Sequence, residues 1–296
     1  KGGRVEMMLV AGFSGIGKTV VVNEVHKPIV EKRGYFISGK FDQFNRNIPL
    51  SAFVIAFRDL IGQLLGESDS AIKKWKSQIL SALGEQGKVI IDAIPELEKI
   101  ISEQPEVSEL SGSAAQNRFN LLFSKFLRVF ATKEHPLVIF LDDLQWADSA
   151  SLNLLKILTQ KSESGYLLIL GAYRDNEVYP AHPLMLTLEE IGKTSTTINT
   201  ITLTPLPQSQ INRLVADTLN CGLELAKPLT ELVYQKTKGN PFFTNQFLKS
   251  LHEDGWIEFS VPRPGKFSDS VPRPGKFSDS VPRSGKFSDK IGRAHV

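Results

Sequence analysis

The sequence predicts an α/β protein built on a parallel sheet with helices on both faces, and three observations carry the prediction. Short apolar runs recur along the first two thirds of the chain and alternate with helical patterns, as in a sheet covered on both sides. The first run, Val5–Ala11, passes straight into a glycine-rich turn that opens a helix. A later run, Leu137–Leu141, is apolar throughout and ends in the pair Asp142-Asp143.

Taken in order, Val5–Ala11 reads as a buried strand and Gly17–Glu31 as the helix after it. Tyr35–Gly39 is a second strand. Helical patterns fill Pro49 to about Leu83, with breaks near Gly66 and Ser68. Pro95 and Pro105 leave Ile90–Glu109 without a clear assignment. Ser113 is expected to cap a long amphipathic helix reaching Lys133. Its stripe of Phe119, Leu122, Phe123, Phe126, Leu127 and Phe130 reads as core packing. Leu137–Leu141 is a third strand, Ala150–Gln160 a helix, Tyr166–Tyr173 a fourth strand and Ile198–Leu203 a fifth. After Pro205 the pattern is helical over Gln208–Leu219, Leu225–Lys236 and Pro241–Glu253, and Trp256–Phe259 can begin another strand. The expected domains are a core over 1–204, a helical unit over 205–259 and a tail over 260–296.

The tail differs in kind. Ser260–Asp269, Ser270–Asp279 and Ser280–Asp289 are near-identical decapeptides with one valine and one phenylalanine each, too few apolar groups for a core. The final Ile291-Gly292-Arg293-Ala294-His295-Val296 can be encoded by ATCGGAAGAGCACACGTC, which resembles a sequencing-library adapter. The array is therefore expected to be disordered or an assembly artefact. The chain starts at Lys1 rather than methionine, so it is expected to be a piece of a longer product.

The net charge of +3 is a property of the tail, which carries +5 and leaves −2 for the rest. The globular part therefore offers no charge footprint for nucleic acid. One cysteine, Cys221, excludes an internal disulfide and fits a reducing, cytoplasmic setting. The apolar runs are too short to span a bilayer, and no signal peptide is seen.

Gly12-Phe13-Ser14-Gly15-Ile16-Gly17-Lys18-Thr19 matches the phosphate-binding pattern G-x-x-x-x-G-K-[ST] in its required setting between strand and helix. The glycines let backbone N–H groups converge on phosphate oxygens, and the helix presents its positive end to the same anion. Lys18 is placed to reach the β- and γ-phosphates of ATP, and Thr19 to bind Mg²⁺. Asp142, at the end of an apolar strand, is the second Mg²⁺ ligand. Asp143 either orients and deprotonates the attacking water or caps the next helix. Asp148 reads as such a cap and Trp146 as packing. Arg174 follows the fourth strand, where parallel sheets bind ligands; it either senses the γ-phosphate or pairs with Asp175 or Glu177. His26, His135, His182 and His252 lack metal-ligand spacing.

GFSGIGKT, LVIFLDDLQWAD, LILGAYRD and KGNPFF together resemble the STAND-type branch of the AAA-related P-loop ATPases. GYFISGKFDQF and AQNRF resemble, more narrowly, the ATPase module of large bacterial signalling proteins. There it sits between a Ser/Thr kinase domain and sensor plus histidine-kinase domains. The resemblance covers about residues 1–259. It implies a five-stranded sheet ordered 5-1-4-3-2, a helical insertion over about 43–134, a helical lid and the start of a winged-helix-like element. It assigns phosphate contacts to Gly12, Ser14, Gly15, Ile16, Gly17, Lys18 and Thr19, and Mg²⁺ to Thr19 and Asp142. It assigns water activation to Asp143, a sensor role to Arg174 and nucleotide contact to Pro241 in Gly239-Asn240-Pro241. By its residues alone, that last motif is a helix stop followed by proline at a helix start. The family's glycine-arginine-glutamate motif before the first strand is absent.

The expected function is an ATP-binding, slowly hydrolysing regulatory switch, with kinase and sensor domains and nucleotide-dependent self-association as its partners. Alternatives are a nucleotide-binding scaffold without hydrolysis, or an ATP-dependent transcription regulator whose DNA-binding domain lies elsewhere. Removing residues 260–296 is expected to leave the melting temperature and nucleotide affinity unchanged, which thermal unfolding and calorimetric titration check. A large fall in either would show that the array is structural.

Overall fold

The computed structural model describes residues 5–31, 34–44, 48–160, 165–194 and 196–256. The decapeptide array, residues 257–259 of the expected last strand and the His26 side chain lie outside the described residues. The chain divides at Thr204/Pro205 into two units.

In the first unit, β1 (Glu6–Ala11), β2 (Tyr35–Lys40), β3 (Leu137–Asp142), β4 (Leu167–Tyr173) and β5 (Thr197–Thr202) form one parallel sheet. Their order is β2-β3-β4-β1-β5, the expected 5-1-4-3-2 read from the other edge. Parallel neighbours need crossovers, which the sequence supplies as helices. These are α1 (Lys18–Glu31) after β1, α7 (Ser149–Gln160) after β3 and α8 (Pro183–Gly192) after β4. Between β2 and β3 lie α2 (Ser51–Leu65), α3 (Asp69–Leu83), α4 (Gly87–Ala93), α5 (Glu98–Ile101) and α6 (Gly112–Phe130).

Successive strand residues face opposite sides of the sheet, and this parity sorts the core. Met7, Leu9, Ile37, Leu137, Ile139, Leu141, Leu167 and Ile169 join α2, α6, α7 and α8 in one large cluster. The intervening Val10, Val138, Phe140, Leu170 and Ala172 meet Val22 of α1 in a smaller one. The aromatic stripe of α6 is core: Phe123 meets Phe57 edge-on with centroids 4.8 Å apart, and Phe126 meets Phe130 at 5.1 Å.

Two helix boundaries differ from expectation. The N-cap of α6 is Ser111, so Ser113 lies in the first turn rather than at the cap, and the helix stops at Phe130 because Ala131 leaves helical geometry. The segment Pro183–Gly192, unassigned in the sequence, is α8. His182 caps it by accepting the Leu184 N–H, and Pro183 takes the first helical position.

Within the second unit, α9 (Gln208–Leu219), α10 (Leu223–Thr237) and α11 (Pro241–Glu253) share a core of Ile211, Val215, Leu229, Val233, Phe247 and Leu251. Lys238 and Gly239 take left-handed backbone after α10. Asn240 then caps α11 by accepting the Phe242 and Phe243 N–H groups.

The contact between β2 and α2 permits no side chain. A Cβ on Gly39 would lie 1.9 Å from the Ala52 carbonyl oxygen, on the face where α2 begins. Gly39→Ala is expected to push α2 off the sheet and lower the melting temperature by roughly 3–10 °C. Gly62→Ala, in open space within α2, is expected to leave it unchanged or raise it. Circular dichroism melts compare the two.

Candidate functional site

β1 delivers the chain into the loop Gly12–Thr19, and α1 starts at Lys18. Gly12, Gly15 and Gly17 all have positive φ, at 147°, 74° and 103°, conformations that other residues rarely adopt. At Gly17 no atom lies within 4 Å of where a Cβ would stand, so the loop is open at this point. Ser14 is exposed, while the Ile16 side chain is buried and its N–H donates to the Phe13 carbonyl at 3.3 Å. The Lys18 ammonium arches back over the loop and donates to the Gly12 carbonyl at 2.7 Å and to that of Phe13 at 3.0 Å. Lys18 is only 8% exposed. Burial lowers its pKa, against the pull of nearby Asp143; Arg174 lowers it further, while Asp142 and Asp175 raise it.

Parity places Asp142. It follows Phe140 by two residues and so points to the α1 side of the sheet, where Thr19 begins the helix. The Thr19 hydroxyl donates to Asp142 Oδ2 at 3.4 Å, and the Asp143 N–H donates to Asp142 Oδ1 at 2.9 Å. Burial raises the Asp142 pKa, and the neighbouring Asp143 charge adds to the rise. A hard hydroxyl and a hard carboxylate side by side suit Mg²⁺, which takes few protein ligands and keeps water or phosphate for the rest. Among the described residues no three His, Cys, Asp or Glu side chains converge as a metal cage.

Asp143 has left-handed backbone, with φ 53° and ψ 44°, and leads into a single 3₁₀ turn, Leu144–Trp146. It is 4% exposed, and its side chain does not cap that turn. The carboxylate is instead held on three sides. Lys40, at the end of β2, reaches Oδ2 at 3.1 Å. Oδ1 receives the Gln145 side-chain N–H at 3.0 Å and faces Arg174 Nε at 3.4 Å. Gln145 Oε1 in turn accepts the Arg174 backbone N–H at 3.1 Å. The Arg174 guanidinium also pairs with Glu177 at 2.6 Å and lies over the Trp146 ring, 4.7 Å from its centroid. Trp146 thus packs as expected, but against the site arginine.

Asp148 is a helix cap. It accepts the Ser151 N–H at 2.9 Å and the Ser151 hydroxyl at 2.6 Å at the start of α7. It also accepts the Leu50 N–H at 3.2 Å, a tie back to the residue before α2 that the sequence did not suggest.

The strand ends therefore gather Gly12–Thr19, Asp142, Asp143 and Arg174 at one end of the sheet, with Lys40 and Gln145 as partners that sequence reading missed. The signal for Lys40 is its register opposite Asp142 in the β2–β3 pair, which needs the sheet order. For Gln145, two residues after the acidic pair, the burial that marks it out appears only in the structure. Pro241 lies in the second unit, at the first position of α11. Beside Lys40 and Trp146 a cavity of about 600 Å³ opens, lined also by Phe41, Phe44, Ile48 and Ile55.

Comparison with known proteins locates this arrangement. The chain is 32% identical over 325 aligned residues to hybrid signal transduction histidine kinase G of Dictyostelium discoideum, covering 88% of this chain and 9% of that protein. It is 23% identical over 177 residues to histidine protein kinase 1 of Candida albicans, covering 54% of this chain and 7% of that protein. The chain thus spans less than a tenth of the length of the curated relatives it matches. Among solved structures it is similar to a signal transduction ATPase with numerous domains, bearing a tetratricopeptide repeat sensor, from Pyrococcus horikoshii. There the TM-score is 0.42 at 15% identity, covering 86% of this chain and 28% of that one. Cdc6p from Pyrobaculum aerophilum gives 0.38 at 14%, covering 73% and 43%. The family description AAA ATPase domain matches residues 1–170. With that match running over more than half its length, the chain belongs to the AAA ATPase domain family.

Proposed function

We propose that the chain is an ATP-binding regulatory switch that hydrolyses ATP slowly, as one module of a longer signal-transduction protein. The observation that carries the reading is the meeting of Lys18, Thr19, Asp142, Asp143 and Arg174 at one end of the sheet. Gly12, Ser14, Gly15, Ile16 and Gly17 supply backbone around the phosphates, and Lys18 exchanges its loop carbonyls for phosphate oxygens. Thr19 and Asp142 hold Mg²⁺, which when bound neutralises charge on the phosphates. Asp143 orients a water and takes its proton as the water attacks the γ-phosphorus, and ADP leaves with the bridging oxygen. Arg174 faces the charge that builds on the γ-phosphate.

Slowness follows from the hold on Asp143. A carboxylate paired with both Lys40 and Arg174 has to release one of those contacts before that oxygen can turn to a water. The kinase names of the two curated relatives motivate placing adjoining kinase domains around this module. The lid role of the helical unit, and nucleotide contact by Pro241, rest on the sequence resemblance alone. Among the described residues no helix is long and apolar enough to cross a membrane.

Lys18→Ala is expected to weaken Mg-ATP binding on the order of 10²-fold, because a charge-assisted contact to the phosphates is removed. Calorimetric titration measures it, and unchanged affinity would sink the phosphate-loop assignment. Asp143→Asn is expected to keep Mg-ATP affinity and to slow turnover by about 10²- to 10⁴-fold. Phosphate-release kinetics check this. Equal turnover would remove Asp143 from the chemistry, and a parent chain that binds ATP without any turnover would favour the scaffold reading.

A further inference from the structure

We propose that Gln145 is a positioning residue for hydrolysis: its side-chain amide clamps the Asp143 carboxylate to the main chain of Arg174. The proposal rests on the reading of Asp143 as the proton acceptor and gives a role to a residue that the sequence resemblance includes only as part of the run LVIFLDDLQWAD.

Burial is the first ground for it. Gln145 is 2% exposed. An amide removed from water is costly unless both its ends are bonded, and an apolar residue of similar size would fill the same space without that cost. Both ends are bonded here, and to the site itself. Oε1 accepts the Arg174 N–H at 3.1 Å, and Nε2 donates to Asp143 Oδ1 at 3.0 Å. The orientation is fixed by chemistry, since only the amide oxygen can accept from a peptide N–H, and only its nitrogen can donate to a carboxylate.

The other two partners of Asp143 cannot fix its direction in the same way. The Lys40 side chain is 64% exposed, on a flexible stem. Arg174 divides its guanidinium between Asp143, Glu177 and the Trp146 ring. When either cation turns toward a phosphate, Gln145 still holds the carboxylate, and as a neutral donor it fixes direction without adding a positive charge. The same 3₁₀ turn acts on Arg174 twice: Gln145 holds its main chain and Trp146 its side chain. The acid at the end of β3 and the arginine after β4 are therefore tied to each other through one turn.

The test is a double-substitution cycle in the full chain, read as turnover and as Mg-ATP affinity. Gln145→Glu keeps the shape and the acceptor for Arg174 but sets a carboxylate against Asp143. It is expected to reduce kcat by about 10- to 10²-fold while the ATP dissociation constant stays within about threefold. In the Asp143→Asn background the same change is expected to cost nothing further, because the amide introduced at position 143 can donate to the carboxylate introduced at position 145. A purely structural role would reduce turnover equally in both backgrounds, and that result would overturn the proposal. Parent-like turnover of Gln145→Glu beside a slow Asp143→Asn would overturn the proposal alone. Parent-like turnover of Asp143→Asn, or a parent without turnover, would overturn the base assignment and the proposal together. Should Gln145→Glu fail to fold, Gln145→Leu takes its place in the same cycle. Gln145→His, whose ring carries one donor and one acceptor nitrogen, is expected to recover most of the lost rate. Turnover of Gln145→His as slow as that of Gln145→Leu would overturn the clamp.

Discussion

The acidic end of the sheet depends on one backbone conformation, the left-handed turn at Asp143. Parity alone would continue β3 outward and point the second aspartate to the face opposite the first. The turn ends the strand at once and folds Leu144–Trp146 back, so that both carboxylates serve the same space. Aspartate is one of the few residues that tolerate this region. The strain is held in place by Gln145 below, by Lys40 at the side, and by the Asp143 N–H bonded to Asp142.

The electrostatics of that space are poised rather than relaxed. Lys40 and Arg174 pair directly with Asp143, Lys18 feels the charge of both carboxylates, and the balance is uneven. Asp142, with its pKa raised by burial and by its neighbour, favours the folded state most at pH below the ordinary aspartate range. That contribution is lost as pH rises through its elevated value. Above that value the folded protein holds the ionised carboxylate at a cost. A divalent cation beside Thr19 would relieve the cost, which ties stability to ligand occupancy.

Much of this was legible in the sequence because local chemistry wrote it. Continuous apolar runs marked four of the strands, and the glycine spacing before Lys18 marked the loop. Acids after an apolar strand marked Asp142 and Asp143. What escaped was non-local. Lys40 ends an edge strand and reads as a solvated lysine until β2 is set beside β3. Gln145 reads as a neutral loop residue until the turn buries it. Helix α8 escaped because Leu184–Leu188 has too short an apolar pattern to separate helix from strand. Ser113 misled because Ser111, two residues earlier, is an equally good cap type and stands at the helix start.

Asp148 closes a covalent circuit with a non-covalent one. Its carboxylate caps α7 and also grips the Leu50 N–H, spanning 98 residues of sequence. The helices between β2 and β3 are therefore stapled at their root to the element that follows the acidic pair. For anyone scanning this chain by mutation, that staple is a confounder. Loss of Asp148 would register as lost activity and mimic a reacting group, although its side chain bonds to Ser151 and Leu50 and to neither Asp142 nor Asp143.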